Sequence, residues 1–137
     1  MTQLDHIGIA VAKLEDALPF WRDLLGLELE GIEVVPSEKV RVAVLKAGST
    51  RIELLEPTSP DSPIAKALEK RGPGIHHLAL AVEDIAARMA ALKKAGRPAL
   101  DEVPRPGAGG CQVTFVHPKS AGGVLVELSQ RPPDSRH

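Results

Sequence analysis

The sequence predicts an α+β protein made of two copies of one strand–helix–three-strand unit. Leu4-Asp5-His6-Ile7-Gly8-Ile9-Ala10-Val11, near the start, returns as Ile75-His76-His77-Leu78-Ala79-Leu80-Ala81-Val82. His77 then falls on His6, Ala81 on Ala10 and Val82 on Val11, an offset of 77 − 6 = 71 in a chain of 137 residues. The ends of the copies match as well. Arg51-Ile52-Glu53-Leu54-Leu55 overlays Leu125-Val126-Glu127-Leu128-Ser129, an offset of 127 − 53 = 74. Self-similarity at half the chain length marks a duplicated unit rather than a solenoid of many short repeats.

The first strand spans residues 3–11. Side chains alternate across a strand, so His6, Gly8 and Ala10 share one face and Ile7, Ile9 and Val11 the other. Pro19 is easiest to place in a first helical turn, which starts a helix near Glu15-Asp16. Leu18, Trp21, Leu24 and Leu25 recur at helical spacing, with Trp21 read as core, and Gly26 supplies the stop. Leu27–Val35 is a loosely alternating strand, and Pro36-Ser37 turns the chain. Val40, Val42 and Val44 form the apolar face of the next strand. Ala47-Gly48-Ser49 leads into Thr50–Glu56, where Ile52 and Leu54 oppose Arg51, Glu53 and Leu55.

Residues 58–73 lie outside the repeat and form a linker between a first module of about 3–57 and a second of about 74–130, all within one domain. Ser62-Pro63 is a cap and first position for a helix to Arg71, with Lys66, Lys70 and Arg71 on its solvated face. In the second module His77, Ala79 and Ala81 repeat the open face; Leu78, Leu80 and Val82 repeat the greasy one. Asp84 caps a helix through Ile85, Met89 and Leu92 that Gly96 ends. Pro98–Leu100 is a short extended piece, Pro104 to Gly110 a loop. Gln112–Val116 and Val124–Ser129 are strands joined by a turn at His117, and a frayed tail follows from Ser129.

Composition narrows the function. Net charge is −1, and Phe20, Trp21 and Phe115 are the only aromatics, so nucleic acid has neither a basic surface nor a stacking platform to bind. No apolar run approaches the roughly 20 residues of a membrane span. Asp5 and His6 stand where a signal peptide would be apolar, and the single Cys111 fits a reducing compartment, so a cytoplasmic location is expected.

A lone histidine or glutamate on a strand is usually structural. Here two of each recur at equivalent places. An ionised carboxylate on an inner face is costly unless it is paired or bound to metal. His6, Glu53, His77 and Glu127 therefore read as nitrogen and oxygen ligands for one divalent ion, and donor type does not choose among zinc, cobalt, nickel, manganese and iron. His76 points to the opposite face, as a structural residue would.

These residues resemble a known family. Asp5-His6-Ile7-Gly8-Ile9-Ala10-Val11, Gly74-Ile75-His76-His77, and Phe115-Val116-His117-Pro118-Lys119-Ser120 with Gly123-Val124-Leu125-Val126-Glu127-Leu128 are similar to the methylmalonyl-CoA epimerases. That family belongs to the vicinal oxygen chelate superfamily, with glyoxalase I and the extradiol dioxygenases. The likeness runs from about residue 4 to 130. It implies tandem βαβββ modules whose sheets form a cup around a metal. His6, His77 and Glu127 occupy ligand positions, as does Glu53, where relatives carry Gln or Glu.

The implied reaction interconverts (R)- and (S)-methylmalonyl-CoA through an enolate. Glu127 is the expected first base and Glu53 the second, with Lys119 a contact for the CoA arm. Some epimerases carry a second glutamate base where this chain has Val42. A homodimer is the expected assembly. The alternatives are a glyoxalase-like isomerase with the same ligands, or a metal-free drug-binding protein, which would not need all four. Extradiol dioxygenases usually duplicate the whole unit again, so the chain is short for one.

Overall fold

A computed structural model describes residues 1–133. The chain forms two compact units, one of His6–His76 and one in which Met1–Asp5 joins the segment from His77 onward. In each unit one face of the strands packs against a helix. The strands and helices are β1 (Gln3–Ala10), α1 (Leu14–Leu18), β2 (Glu28–Val35), β3 (Val40–Ala47), β4 (Thr50–Pro57), α2 (Pro63–Arg71), β5 (Gly74–Ala81), α3 (Ile85–Lys94), β6 (Arg105–Pro106), β7 (Gln112–Val116) and β8 (Val126–Gln130). Both modules thus follow the expected βαβββ order.

In the first unit the strands lie in the order β2-β3-β4-β1. β1 runs parallel to β4, placing Gly8 opposite Glu53 and Ile9 opposite Leu54, while antiparallel β3 sets Val44 opposite Glu53 and Ala43 opposite Leu54. Partners across a sheet share a face, so this register separates two sets. Ile9, Val11, Ala43, Leu45 and Leu54 bury against Leu14 and Leu18 of α1, with Trp21 packed alongside. His6, Ala10, Val40, Val42, Glu53 and Leu55 belong to the other face and are buried too. β3 is therefore apolar on both faces, not one.

The first helix differs from expectation. It begins at Leu14, whose N–H donates to Glu56 Oε1 at 2.8 Å, so an acid from β4 caps it in place of a local side chain. Pro19 then falls inside the helical run. It has no N–H to donate, and from Pro19 to Leu24 the backbone widens to a π-helical register, with Leu25 N–H donating to Phe20 C=O at 2.9 Å. That register breaks the 3.6-residue periodicity. Leu24 and Leu25 are 78% and 51% exposed, leaving Leu14 and Leu18 as the buried pair. Gly26 does end the run, at φ +80°.

α2 and α3 start where the caps predict. Ser62, fully buried, accepts from Ile64 N–H at 3.1 Å, and Asp84 accepts from Ala87 N–H at 3.1 Å. Lys66, Lys70 and Arg71 are exposed, as a solvated face requires. The linker as a whole belongs with the first module's unit.

In the second unit the order is β5-β8-β7-β6. β5 is parallel to β8 with Ala79 opposite Glu127, and β7 is antiparallel with Phe115 opposite Glu127. Val82, Ile85, Met89, Val116 and Leu128 form the core beneath α3. The short extended piece does not fall at Pro98–Leu100. The third strand position is taken by Arg105–Pro106, inside the stretch read as loop, with Arg105 opposite Val113. Two residues suffice because a proline at an outermost strand forfeits no interior hydrogen bond. Leu100 still donates to Phe115 C=O at 2.8 Å.

The tail is also firmer than expected. Ser129 and Gln130 complete β8, Gln130 Oε1 accepts from Ile85 N–H at 2.8 Å, and Arg131 bonds Asp5 at 2.7 Å. Residues 134–137 of the expected tail lie outside the described residues.

The first core yields a stability test. Leu54 is fully buried between β1, β3 and α1. Leu54→Ala should lower unfolding free energy by about 2–5 kcal/mol in urea titrations, the range for cavity-forming truncations.

Candidate metal and proton-transfer site

Each module carries the same buried pair. In the first, β1 brings His6 and β4 brings Glu53 to one face, and His6 Nε2 lies 3.3 Å from Glu53 Oε1. In the second, β5 and β8 do the same, with His77 Nε2 3.0 Å from Glu127 Oε1. Exposure is 4% for His6, 9% for Glu53, 5% for His77 and 7% for Glu127. Such burial would be unfavourable for unmatched charge, so each carboxylate needs a cationic partner. The separations also suit a common metal. Two donors bonded at about 2.1 Å and at right angles lie about 3.0 Å apart. Imidazole with carboxylate is borderline donor chemistry, compatible with several divalent transition ions.

The parallel pairings place each histidine and its glutamate on one face, with Glu53 opposite Gly8 and Glu127 opposite Ala79, each two residues beyond the histidine. A slip of one residue would turn the carboxylate to the helix side. On the face of the first pair Arg51 lies opposite His6 and donates through Nε to Glu30 Oε1 at 2.6 Å, while Val42 and Leu55 add buried apolar surface. Val42 is 2% exposed and lies opposite Leu55 in the register.

Beside the second pair stands a cluster that sequence reasoning missed. Phe115 packs edge-on against the His77 ring, with centroids 5.5 Å apart. The Arg105 guanidinium carbon lies 5.8 Å from the Phe115 ring centroid, within cation–π range. Arg105 Nε donates to Asp101 Oδ2 at 3.2 Å, and Thr114, fully buried, donates its hydroxyl to the same oxygen at 3.0 Å. Nothing in the local pattern marks Arg105. It sits between two prolines in a glycine-rich stretch, and only the strand pairing reveals its face.

The remaining predicted positions fall away from the buried pairs. Lys119 is exposed in the helical turn Pro118–Ala121. His117 accepts from Lys119 N–H through Nδ1 at 3.0 Å, so its ring caps that turn. His76 is half-buried. Burial raises the Cys111 thiol above its ordinary value, partly offset by a hydrogen bond with Ser129, which keeps the thiol protonated and poorly nucleophilic.

Known proteins are similar to this chain over nearly its whole length. Residues 5–115 match the Glyoxalase/Bleomycin resistance protein/Dioxygenase superfamily. The ethylmalonyl-CoA/methylmalonyl-CoA epimerase of Cereibacter sphaeroides is 44% identical over 130 residues, covering 93% of this chain and 97% of that protein. Human mitochondrial methylmalonyl-CoA epimerase is 42% identical over 129 residues, 93% of this chain and 73% of that protein. The solved structure of a Streptomyces coelicolor methylmalonyl-CoA epimerase variant in complex with 2-nitronate-propionyl-CoA matches with a TM-score of 0.94 at 38% identity. It covers 100% of this chain and 99% of that one. The chain belongs to the methylmalonyl-CoA epimerases of the glyoxalase/bleomycin resistance/dioxygenase superfamily.

Proposed function

We propose that this protein interconverts (R)- and (S)-methylmalonyl-CoA by moving the C2 proton, with His6, Glu53, His77 and Glu127 around one divalent ion. The observation that carries the reading is the pair of buried His–Glu contacts at equivalent places in the two modules. Relatives that bear the epimerase name and span nearly the whole chain support it.

The C2 proton lies between a thioester and a carboxylate, and its removal leaves an enolate. A bound divalent ion would act as a Lewis acid toward the negative charge developing on the thioester oxygen. The residues supply the rest. Glu127 takes the proton on one face, and Glu53, its counterpart in the repeat, delivers one on the other. Inversion requires such groups on both sides of the carbon. The aliphatic lining around Glu53, with Val42 and Leu55 buried on its face, excludes water and strengthens local electrostatics. Lys119 serves the CoA arm as a surface cation. The protein acts in the cytoplasm as a homodimer.

Purified protein should hold about one divalent ion per chain by elemental analysis, and His77→Ala should lose most of it. Unchanged metal content in both His6→Ala and His77→Ala would exclude this site.

The two carboxylates separate in D₂O. Glu127→Gln should nearly abolish epimerisation. Glu53→Gln keeps an oxygen for the metal, so it should retain the ion and still exchange the C2 proton of one enantiomer. Its epimerisation should fall by roughly 10²–10⁴-fold, the scale of lost general acid–base help. Near-native epimerisation by metal-loaded Glu53→Gln would reduce Glu53 to a ligand. Turnover of a hemithioacetal without C2 exchange would assign a glyoxalase instead.

A further inference from the structure

We propose that Phe115 is a positioning residue for His77, fixing the plane of the imidazole so that this half of the site is set before a metal binds. The proposal rests on the metal-site reading above. Phe115 lies opposite Glu127 in β7–β8, and Glu127 lies opposite Ala79 in β5–β8, two residues beyond His77. Phenylalanine, glutamate and histidine therefore share one face of the second module. The two rings meet edge-on, with centroids 5.5 Å apart and planes at 85°, a favourable aromatic arrangement. Rotation of an imidazole about its Cβ–Cγ bond is otherwise soft, and it swings the donor nitrogen away from a metal. A ring already held loses less freedom when the metal binds.

Phe115 is itself held through its backbone and its ring. Its carbonyl accepts from Leu100 N–H at 2.8 Å, and the Arg105 guanidinium carbon sits over its ring, 5.8 Å from the centroid. Arg105 is tied in turn to Asp101, whose Oδ2 also accepts from Thr114. Sheet pairing alone does not call for an aromatic here. In the first module the antiparallel neighbour opposite Glu53 is Val44, whose short branched side chain offers no ring to a histidine. Ring support from the strand beside the glutamate is therefore a feature of the second module, added to a pairing that both modules share.

Metal affinity and the ring itself test the proposal without relying on turnover. Phe115→Leu keeps apolar bulk and removes the ring; Phe115→Tyr keeps the ring. Divalent-ion affinity is measured by competition with a chelator, and the visible spectrum of the Co(II)-loaded protein reports ligand geometry. Phe115→Leu should bind the ion roughly 3–10-fold more weakly, the scale of one lost aromatic contact, and shift the Co(II) bands, with Phe115→Tyr close to wild type. In the metal-free protein the His77 ring-proton NMR signals, identified by their loss in His77→Ala, should broaden or double in Phe115→Leu. Phe115→Met, whose flexible side chain refills the same space, replaces the leucine variant if that one does not fold. Folded Phe115→Leu with native affinity and native Co(II) bands overturns the proposal, even where its melting temperature falls, because Phe115 then only packs. Wild type that binds no divalent ion removes the metal reading. Phe115 then stands as the support of the His77 ring if the signals still broaden in Phe115→Leu, and falls if they do not.

Discussion

Burying a carboxylate is the constraint around which this chain is arranged. Glu53 and Glu127 are 9% and 7% exposed, each on a strand whose other face is packed with aliphatic side chains. Charge in such a place persists only with a partner of opposite sign or a strong donor set. Each module meets that requirement with one imidazole delivered by a parallel neighbour. The parallel pairing of β1 with β4, and of β5 with β8, puts each histidine on the face of its glutamate, two residues before the glutamate's register partner, Gly8 or Ala79. Core packing and site geometry are therefore one arrangement seen from two faces, and the register that protects one protects the other.

The same alternation made much of the molecule legible in the sequence. His6 and Glu53 stood out because their neighbours are aliphatic with a period of two, and the repeat supplied a second copy of the signal. Ser62 and Asp84 were readable because a cap depends on a few adjacent residues. What escaped the sequence depends on contacts from afar. Leu14 begins the first helix because Glu56, 42 residues away, accepts from its N–H. Pro19 read as a first-turn residue, since nothing local shows that helix already exists before it. Arg105 looked like part of a loop, because a two-residue strand has no periodicity to detect.

The two modules have also diverged unequally. Both keep the imidazole–carboxylate pair, the strand order and the glycine that closes the first helix of each copy, Gly26 and Gly96 at φ +80° and +79°. They differ in what surrounds the pair. On the face of its pair the first carries Val42, Leu55 and Arg51 bonded to Glu30, the second Phe115 and Arg105 bonded to Asp101.

Val42 shows how such a scaffold can change its chemistry. Valine and glutamate codons can differ by a single base, so an acid could enter this strand in one mutational step, with no shift of backbone. The obstacle is thermodynamic rather than genetic. At 2% exposure and facing Leu55, a carboxylate there would be desolvated at once. An acid placed here would need opened or polarised surroundings, whereas this chain keeps Val42 buried against Leu55. Burial of one position on β3 thus sets whether a carboxylate could stay ionised there.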